Sequence, residues 1–277
     1  MVDQQAHDER IRAHRRLMRG ACGFEGEDFV SDQMLQRPQP PLTKPAMRPE
    51  TERIALPREF EPLLEGADLL ATFRDRRSAR VYTGQPVSLL QLSFLLWVTQ
   101  GVKAIRGKSY ATLRTVPSGG ARHAFETYLI VQHVDGLRPG AYHYLPMEHA
   151  VEFLHPVADI PGTVSSVLAG QKWAGKASVV FCWACVAYRC EWRYDVFAHG
   201  PALIDAGHIG QNLYLGCTAL RLGTCGVAAF DADAAAGLFG LDGEEEFLVY
   251  AAPVGTVREE DLAEEQAFYR FVEEQGL

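Results

Sequence analysis

No stretch of this sequence approaches the ~18 consecutive apolar residues of a membrane-spanning helix, so no such helix is expected. A basic excess is missing too. Against 27 Lys and Arg stand 35 Asp and Glu, a formal net charge of −8, which argues against nucleic acid as a partner and confines any positive site to a local patch. The six cysteines, Cys22, Cys182, Cys185, Cys190, Cys217 and Cys225, lack the spacing of a disulfide framework and suit a reducing compartment. The opening "MVDQQAHDERIRAHRRLMRG" carries charges where a signal peptide needs an apolar segment, and a cytoplasmic protein is expected. Several chemistries also lack their signatures. There is no Gly-x-Ser-x-Gly elbow to accompany Asp205 and His208 in a hydrolase triad. "GLRPGAYHY" has neither the spacing nor the following helix of a dinucleotide fingerprint. "CWAC" places Cys182 and Cys185 on opposite sides of a strand, and Cys190 alone does not complete a zinc site, so no metal centre is expected.

What is present is core. The 277 residues are 47% hydrophobic, enough for one large domain or two small ones. Residues 1–50 read as an arm: charged at first, with a helical stretch from Asp8 to Met18, then extended through "RPQPPLTKPAMRP", where Pro38, Pro40, Pro41, Pro45 and Pro49 prohibit helix. This arm is expected to wrap over the body or over a partner subunit. Residues 51–277 read as the domain. Helices are expected in "ADLLATFRDRRS", ended by Ser78, from Ser88 to Gly101, in "PGTVSSVLAG", from Pro201 to Gly223, after Asp231, and at the acidic C-terminus. "FETYLIVQHV", the hairpin "GAYHYLPMEHAVEFL", "ASVVFCWACVAY" and "EEFLVYAAPVG" read as strands. Helices flanking antiparallel strands in this order indicate an α+β fold.

Three constellations bear on chemistry. Arg74, Arg76, Arg77 and Arg80 lie within seven positions around Ser78, either as a solvated helix end or as an anion site with bidentate geometry. The turn Pro117-Ser118-Gly119-Gly120, between Arg114 and Arg122, offers backbone N–H groups to a negatively charged or polar ligand. On the long helix, Asp205, His208, Gln211 and Asn212 fall three to four residues apart, lining a cavity or bonding one another. The following "RLGTCGVAAFD" is either a helix end leading into a strand or a small-residue stretch along which backbone approaches a flat ligand.

Taken together and in order, "RRSARVYTGQPVSLLQLSFLLWVTQGV", "RTVPSGGARHAFETYLIV", "DAGHIGQNLYLGCTALRLGTCGVAAFD" and "LFGLDGEEEFLVYAAPVG" resemble the nitroreductase superfamily, and within it the SagB-type dehydrogenases, over about residues 52–256. The resemblance implies an antiparallel-type central sheet flanked by helices, an intertwined homodimer with exchanged arms, and one FMN at each of two interface sites. By matching motif, Arg76, Arg77, Ser78 and Arg80 would hold the phosphate and the polar ring edge. Pro117, Ser118, Gly119, Gly120 and Gln211 would lie along the flavin, and Gly226, Val227, Ala228 and Ala229 would pass over it. Arg258 stands near the place of a further phosphate partner. Arg193 and Tyr194 fall where SagB-type enzymes that oxidise azolines carry a Lys-Tyr pair; a guanidinium stays protonated and is no general base. Three functions follow as expectations: an FMN-dependent dehydrogenase or oxidase of a small or peptide-like, azoline-type substrate; an NAD(P)H-dependent nitro or quinone reductase; or a catalytically silent binding module.

Overall fold

The computed structural model describes residues 29–47 and 52–275; the helix expected at Asp8–Met18, together with Cys22 and Pro49, lies outside them. Seven strands form one antiparallel sheet in the order β1-β6-β5-β4-β7-β9-β8, with β1 Arg53–Ala55, β4 Phe125–Val131, β5 Gly140–Leu145, β6 Ala150–His155, β7 Val179–Val186, β8 Leu222–Thr224 and β9 Glu246–Thr256. A hairpin of β2 Val102–Arg106 and β3 Ala111–Arg114 stands apart from it.

Both faces of the sheet are covered, which explains why its central strands read as nearly continuous apolar runs. Side chains alternate along each strand. Phe125, Leu129, Phe181 and Trp183 therefore enter one core, under helices α2 Leu89–Gln100 and α5 His199–Ala219. Tyr128, Ile130, Val180 and Cys182 enter the other, under α3 Ile160–Val167 and α6 Ala232–Phe239. Cys182 and Cys185 fall into different cores, and burial pushes the Cys182 thiol up and the Cys185 thiol up to about 12.

The helix boundaries follow local chemistry. Ser88 and Gln91 close a reciprocal capping box on α2, at 3.1 and 2.9 Å, and the chain leaves at Gly101. Asp68 caps α1 Leu69–Asp75, Asp159 caps α3 and Asp231 caps α6, each accepting a first-turn amide. Two expected ends shift. Helix α1 stops at Asp75, before Ser78, where the chain turns extended at Arg76. Helix α5 begins at His199 rather than Pro201, because first-turn amides have no partner inside the helix and a proline there costs nothing. It ends at Ala219, where Arg221 (φ 55°) turns the chain and puts Gly223 into β8.

Short helix α4 Tyr188–Tyr194 carries the Trp-Arg-Tyr stretch, and α7 Glu259–Glu274 closes the chain. Residues 29–47 run over their own body. The Gln33 amide donates to the Trp192 carbonyl at 2.8 Å, Trp192 Nε1 to the Arg37 carbonyl at 3.0 Å, and the Lys44 amide to Glu126 at 2.8 Å.

Candidate functional site

One group of site residues centres on Tyr214 of α5. Its hydroxyl accepts the Gly226 amide at 2.7 Å and meets Ser78 Oγ at 2.9 Å, while the Arg76 guanidinium lies 5.4 Å from its ring centre. The Ala79 amide, bonded to the Thr224 carbonyl at 2.9 Å, pins the arginine-rich segment beside β8. Gly226 is required by space: a Cβ there would sit 1.9 Å from the Tyr250 hydroxyl, and Tyr250 is itself stacked on Trp183 at 5.5 Å. Beyond Gly226, Val227 exchanges both backbone hydrogen bonds with Ala251 at 2.7 and 3.0 Å. The amides of Gly226 and Val227 are thus already committed, and the exposed Ala228 and Ala229 are the part of the loop open to a ligand. Arg77 is exposed in a groove of about 540 Å³ with Ala79, Arg221, Gly223 and Val257, and Arg80 is half-buried. Arg258 grips Asp261 through Nε and a terminal nitrogen at 2.8 and 2.9 Å, which caps its use as an anion partner with a carboxylate of its own chain.

A second group surrounds the Pro-Ser-Gly-Gly turn. The Gly119 amide donates to Asp205 Oδ1 at 3.1 Å, and Ser118 Oγ accepts the His123 amide at 2.9 Å. Burial raises the Asp205 pKa against the lowering effect of its bonds to Ser118 and Gly119. Gly120, at φ 56°, lies against the substrate-side pair: a Cβ there would be 2.5 Å from Arg193 Nε and 2.7 Å from the Tyr194 hydroxyl. Pro117 is exposed at the lip of the turn.

The two arginines that flank this turn do not face a ligand. Arg114 is buried and donates to Gln100, Thr112 and the Leu42 carbonyl at 2.7, 3.1 and 3.2 Å, its pKa brought down to about 10 by burial. Arg122 is also buried, bonded to the Gly120 and Tyr110 carbonyls at 3.0 and 2.9 Å and stacked on Trp192. The cation at the turn is instead Arg193, whose terminal nitrogen donates to the Tyr110 hydroxyl at 2.7 Å. Burial works against the Arg193 charge, but the Tyr194 hydrogen bond and the pull of Tyr110 outweigh it and raise its pKa.

The four polar residues of α5 divide rather than line one cavity. Asp205 holds Gly119 and Asn212 donates to the Val98 carbonyl at 2.8 Å, whereas His208 and Gln211 are exposed. Tyr110 lies outside every motif, and Tyr214 and Tyr250 lie within motif stretches that give neither a site role. Among the described residues no cluster of His, Cys, Asp and Glu suits a metal, and no helix is long and apolar enough to cross a membrane.

The seven-stranded antiparallel sheet, with α2 and α5 on one face, thus carries an arginine-serine segment and a glycine loop against one helix. Residues 73–256 match the model of the Nitroreductase family, and the chain belongs to that family, whose members are generally flavin-dependent oxidoreductases. It is similar to a nitroreductase-family protein of Methanocaldococcus jannaschii, 33% identical over 65% of this chain and 86% of that protein. It is also similar to the trifolitoxin-processing protein TfxB of Rhizobium leguminosarum, 32% identical over 39% of this chain and 30% of TfxB. Among solved structures, a nitroreductase-type protein from Ralstonia eutropha superposes with a TM-score of 0.61 at 24% identity, covering 80% of this chain and 99% of that one. The E. coli microcin synthetase McbBCD complex with truncated pro-MccB17 bound superposes with a TM-score of 0.56 at 17% identity, covering 93% and 95%.

Proposed function

We propose that this protein is an FMN-dependent dehydrogenase or oxidase of the SagB type, acting on a peptide-like, azoline-bearing substrate in the biosynthesis of a modified peptide or natural product. The carrying observation is the Tyr214 hub, which gathers the Arg76–Ser78 segment and the Gly226 loop, two separate segments of the chain, onto one helix. These residues fit the cofactor. Cationic and hydroxyl donors suit its phosphate and carbonyl edge, and the exposed Ala228–Ala229 backbone leaves a flat surface of small residues beside them. Bound there, FMN would supply a two-electron acceptor. Arg76, Arg77, Ser78 and Arg80 would hold the phosphate and the polar ring edge, with Gln211 exposed three residues before Tyr214 on the same side of α5.

The turn group requires a second subunit. Asp205 and Tyr214 are nine positions apart, two and a half helical turns, so their groups lie on opposite sides of α5 and about 13 Å apart along it. Only a neighbouring protomer would bring Pro117, Ser118, Gly119 and Gly120 to the cofactor held at Tyr214. Exposed Leu69, Leu70 and Phe73 of α1 and Leu203 and Ile204 of α5 supply an apolar surface for that homodimer. Arg193 and Tyr194, carried on the same turn group, would then face the substrate. The TfxB likeness supports a peptide-like substrate; the methanogen relative supports the second reading, an NAD(P)H-dependent reductase of nitro compounds or quinones.

The test is the visible spectrum of the purified protein, with chromatography of any released cofactor, repeated on Arg76→Ala. A yellow protein that releases FMN and loses it on mutation supports the flavoenzyme. Rapid anaerobic bleaching by NAD(P)H then favours the reductase, and bleaching only by an azoline peptide favours the dehydrogenase. A colourless protein that takes up no added FMN overturns both and leaves the silent binding module.

A further inference from the structure

The Tyr110 side chain, in the turn of the β2–β3 hairpin, is surrounded by donors from three directions. Gln33 Nε2 of the arm donates to its hydroxyl oxygen at 3.0 Å and Arg193 of α4 donates to the same oxygen at 2.7 Å. The Arg122 guanidinium lies over its ring at 4.9 Å from the centre. A phenolate oxygen has three lone pairs; two are engaged here by donors, which leaves the third for a proton. Among the described residues no carboxylate is bonded to it, the neighbouring ionisable groups being Arg193, Arg122 and, across Arg193, Tyr194. Tyr110 is nevertheless half-exposed, so its oxygen remains within reach of a ligand.

An oxygen that accepts two hydrogen bonds, one from a permanent cation, with a second cation over its ring, is arranged for negative charge. We propose that Tyr110, held as the phenolate by Arg193 and Gln33, is the proton acceptor on the substrate side of the site. The inference rests on the flavoenzyme reading above. In the step it serves, a C–H or N–H bond of the substrate breaks and its proton forms the Tyr110 O–H bond. The electron pair of that bond would become the new C=C or C=N double bond as the adjacent C–H bond breaks, and the hydride, leaving with the pair of that second bond, would go to FMN as the two-electron acceptor. Arg193 keeps its proton throughout and holds the phenolate in place. The ionisation is favoured from the same geometry: burial pushes the phenol up, but the Gln33 hydrogen bond and the charges of Arg193 and Arg122 outweigh it and bring Tyr110 below the ordinary tyrosine value. The arm thereby contributes a residue to the site, since Gln33 lies 77 positions from Tyr110 in sequence.

The experiment is an ultraviolet pH titration of phenolate absorbance, which needs no cofactor, on wild type, Tyr110→Phe, Arg193→Gln and Gln33→Ala. One of the ten tyrosines is expected to ionise ahead of the rest in wild type. That phase disappears in Tyr110→Phe and moves up by about one pH unit in Arg193→Gln. Superimposable wild-type and Tyr110→Phe curves overturn the proposal. On the FMN-loaded protein, with a thiazoline-bearing peptide as probe, Tyr110→Phe is expected to slow bleaching about 100-fold at unchanged FMN content. Unchanged bleaching, or loss of FMN from the variant, overturns the proton-acceptor role. A wild-type protein without FMN instead overturns the flavoenzyme reading, and the tyrosine titration still decides whether Tyr110 is the ionised group.

Discussion

Asp205 and Tyr214 face opposite sides of the same helix, one buried against the Gly119 amide and the other bonded to Gly226 at the half-exposed side. Each collects a separate set of site residues, about 13 Å apart along the helix, and on the homodimer reading a cofactor held by one set meets the other across the subunit boundary. Cofactor retention is therefore expected to depend on association. Ile204 is 59% exposed on α5, and Ile204→Glu places a charge on the apolar surface without touching either group. Light scattering is expected to show a monomer, with bound FMN lost in parallel. A monomer that keeps its FMN would show that one chain completes the site.

Tyr214→Phe keeps the ring beneath Arg76 and removes the oxygen that joins Ser78 to Gly226. The Gly226 amide loses a half-buried partner, a bond worth about 0.5–1.5 kcal/mol. Thermal unfolding should register a loss of that size without ligand and a larger one in the presence of FMN, because the loop and the Arg76–Arg80 segment lose their common anchor. Equal losses with and without FMN would place Tyr214 in the scaffold alone.

How much of this was legible in the sequence depended on how far the relevant partner lay along the chain. The α2 boundaries, Ser88 and Gly101, come from chemistry within four residues and are found where the pattern places them. The turn at Ser118–Gly120 is equally local, and Gly120 is where a positive φ and close approach are needed. The arginines beside it misled, because an arginine's charge is visible in sequence and its destination is not: Arg114 is consumed by Gln100 and by Leu42 of the arm, 72 positions away. Tyr110 is a single tyrosine outside every motif, and Tyr214 sits within the long-helix motif without standing out there. Their significance arises from Arg193, 83 positions from Tyr110, and Ser78, 136 positions from Tyr214.

Under the arm lies a buried ionic centre that should govern stability rather than chemistry. His143 is held between Glu152 at 2.7 Å and Glu126 at 3.2 Å, with Arg189 also on Glu126. Burial disfavours the imidazolium, but the two carboxylates outweigh it and raise its pKa. A raised folded-state value means that this stabilisation is fully present below the unfolded histidine value and is lost as pH rises through the folded value. His143→Gln leaves two buried carboxylates short of a cation and is expected to cost about 3–5 kcal/mol in chemical denaturation at mildly acidic pH. The cost should shrink as pH is raised. A deficit that stays constant across pH would mean that His143 is neutral in the folded protein.

His149 should produce the opposite slope. Its ring nitrogens are both engaged, Nε2 with Ser93 Oγ and Nδ1 with the Tyr144 hydroxyl, each at 2.8 Å, and among the described residues no carboxylate is bonded to it. Burial, reinforced by the charge of Arg58, holds its pKa down to about 4, against a smaller raising effect from the Pro57 carbonyl. A neutral folded imidazole and a protonatable unfolded one make the unfolded chain bind the extra proton. Stability from this residue is thus fully present above the unfolded value of about 6.5 and falls as pH drops toward 4, by an amount on the order of 3 kcal/mol. His123, held down to about 3 by burial and by Arg114, acts in the same direction over a wider window. The informative substitution is His149→Asn, because His149 sits at φ 52°, a conformation that asparagine tolerates and most residues do not. The variant starts less stable at neutral pH, having lost part of its hydrogen bonding, and its stability declines less steeply than wild type between pH 6.5 and 4. If the two slopes match, the acid sensitivity belongs to His123 and not to the Ser93–His149–Tyr144 set.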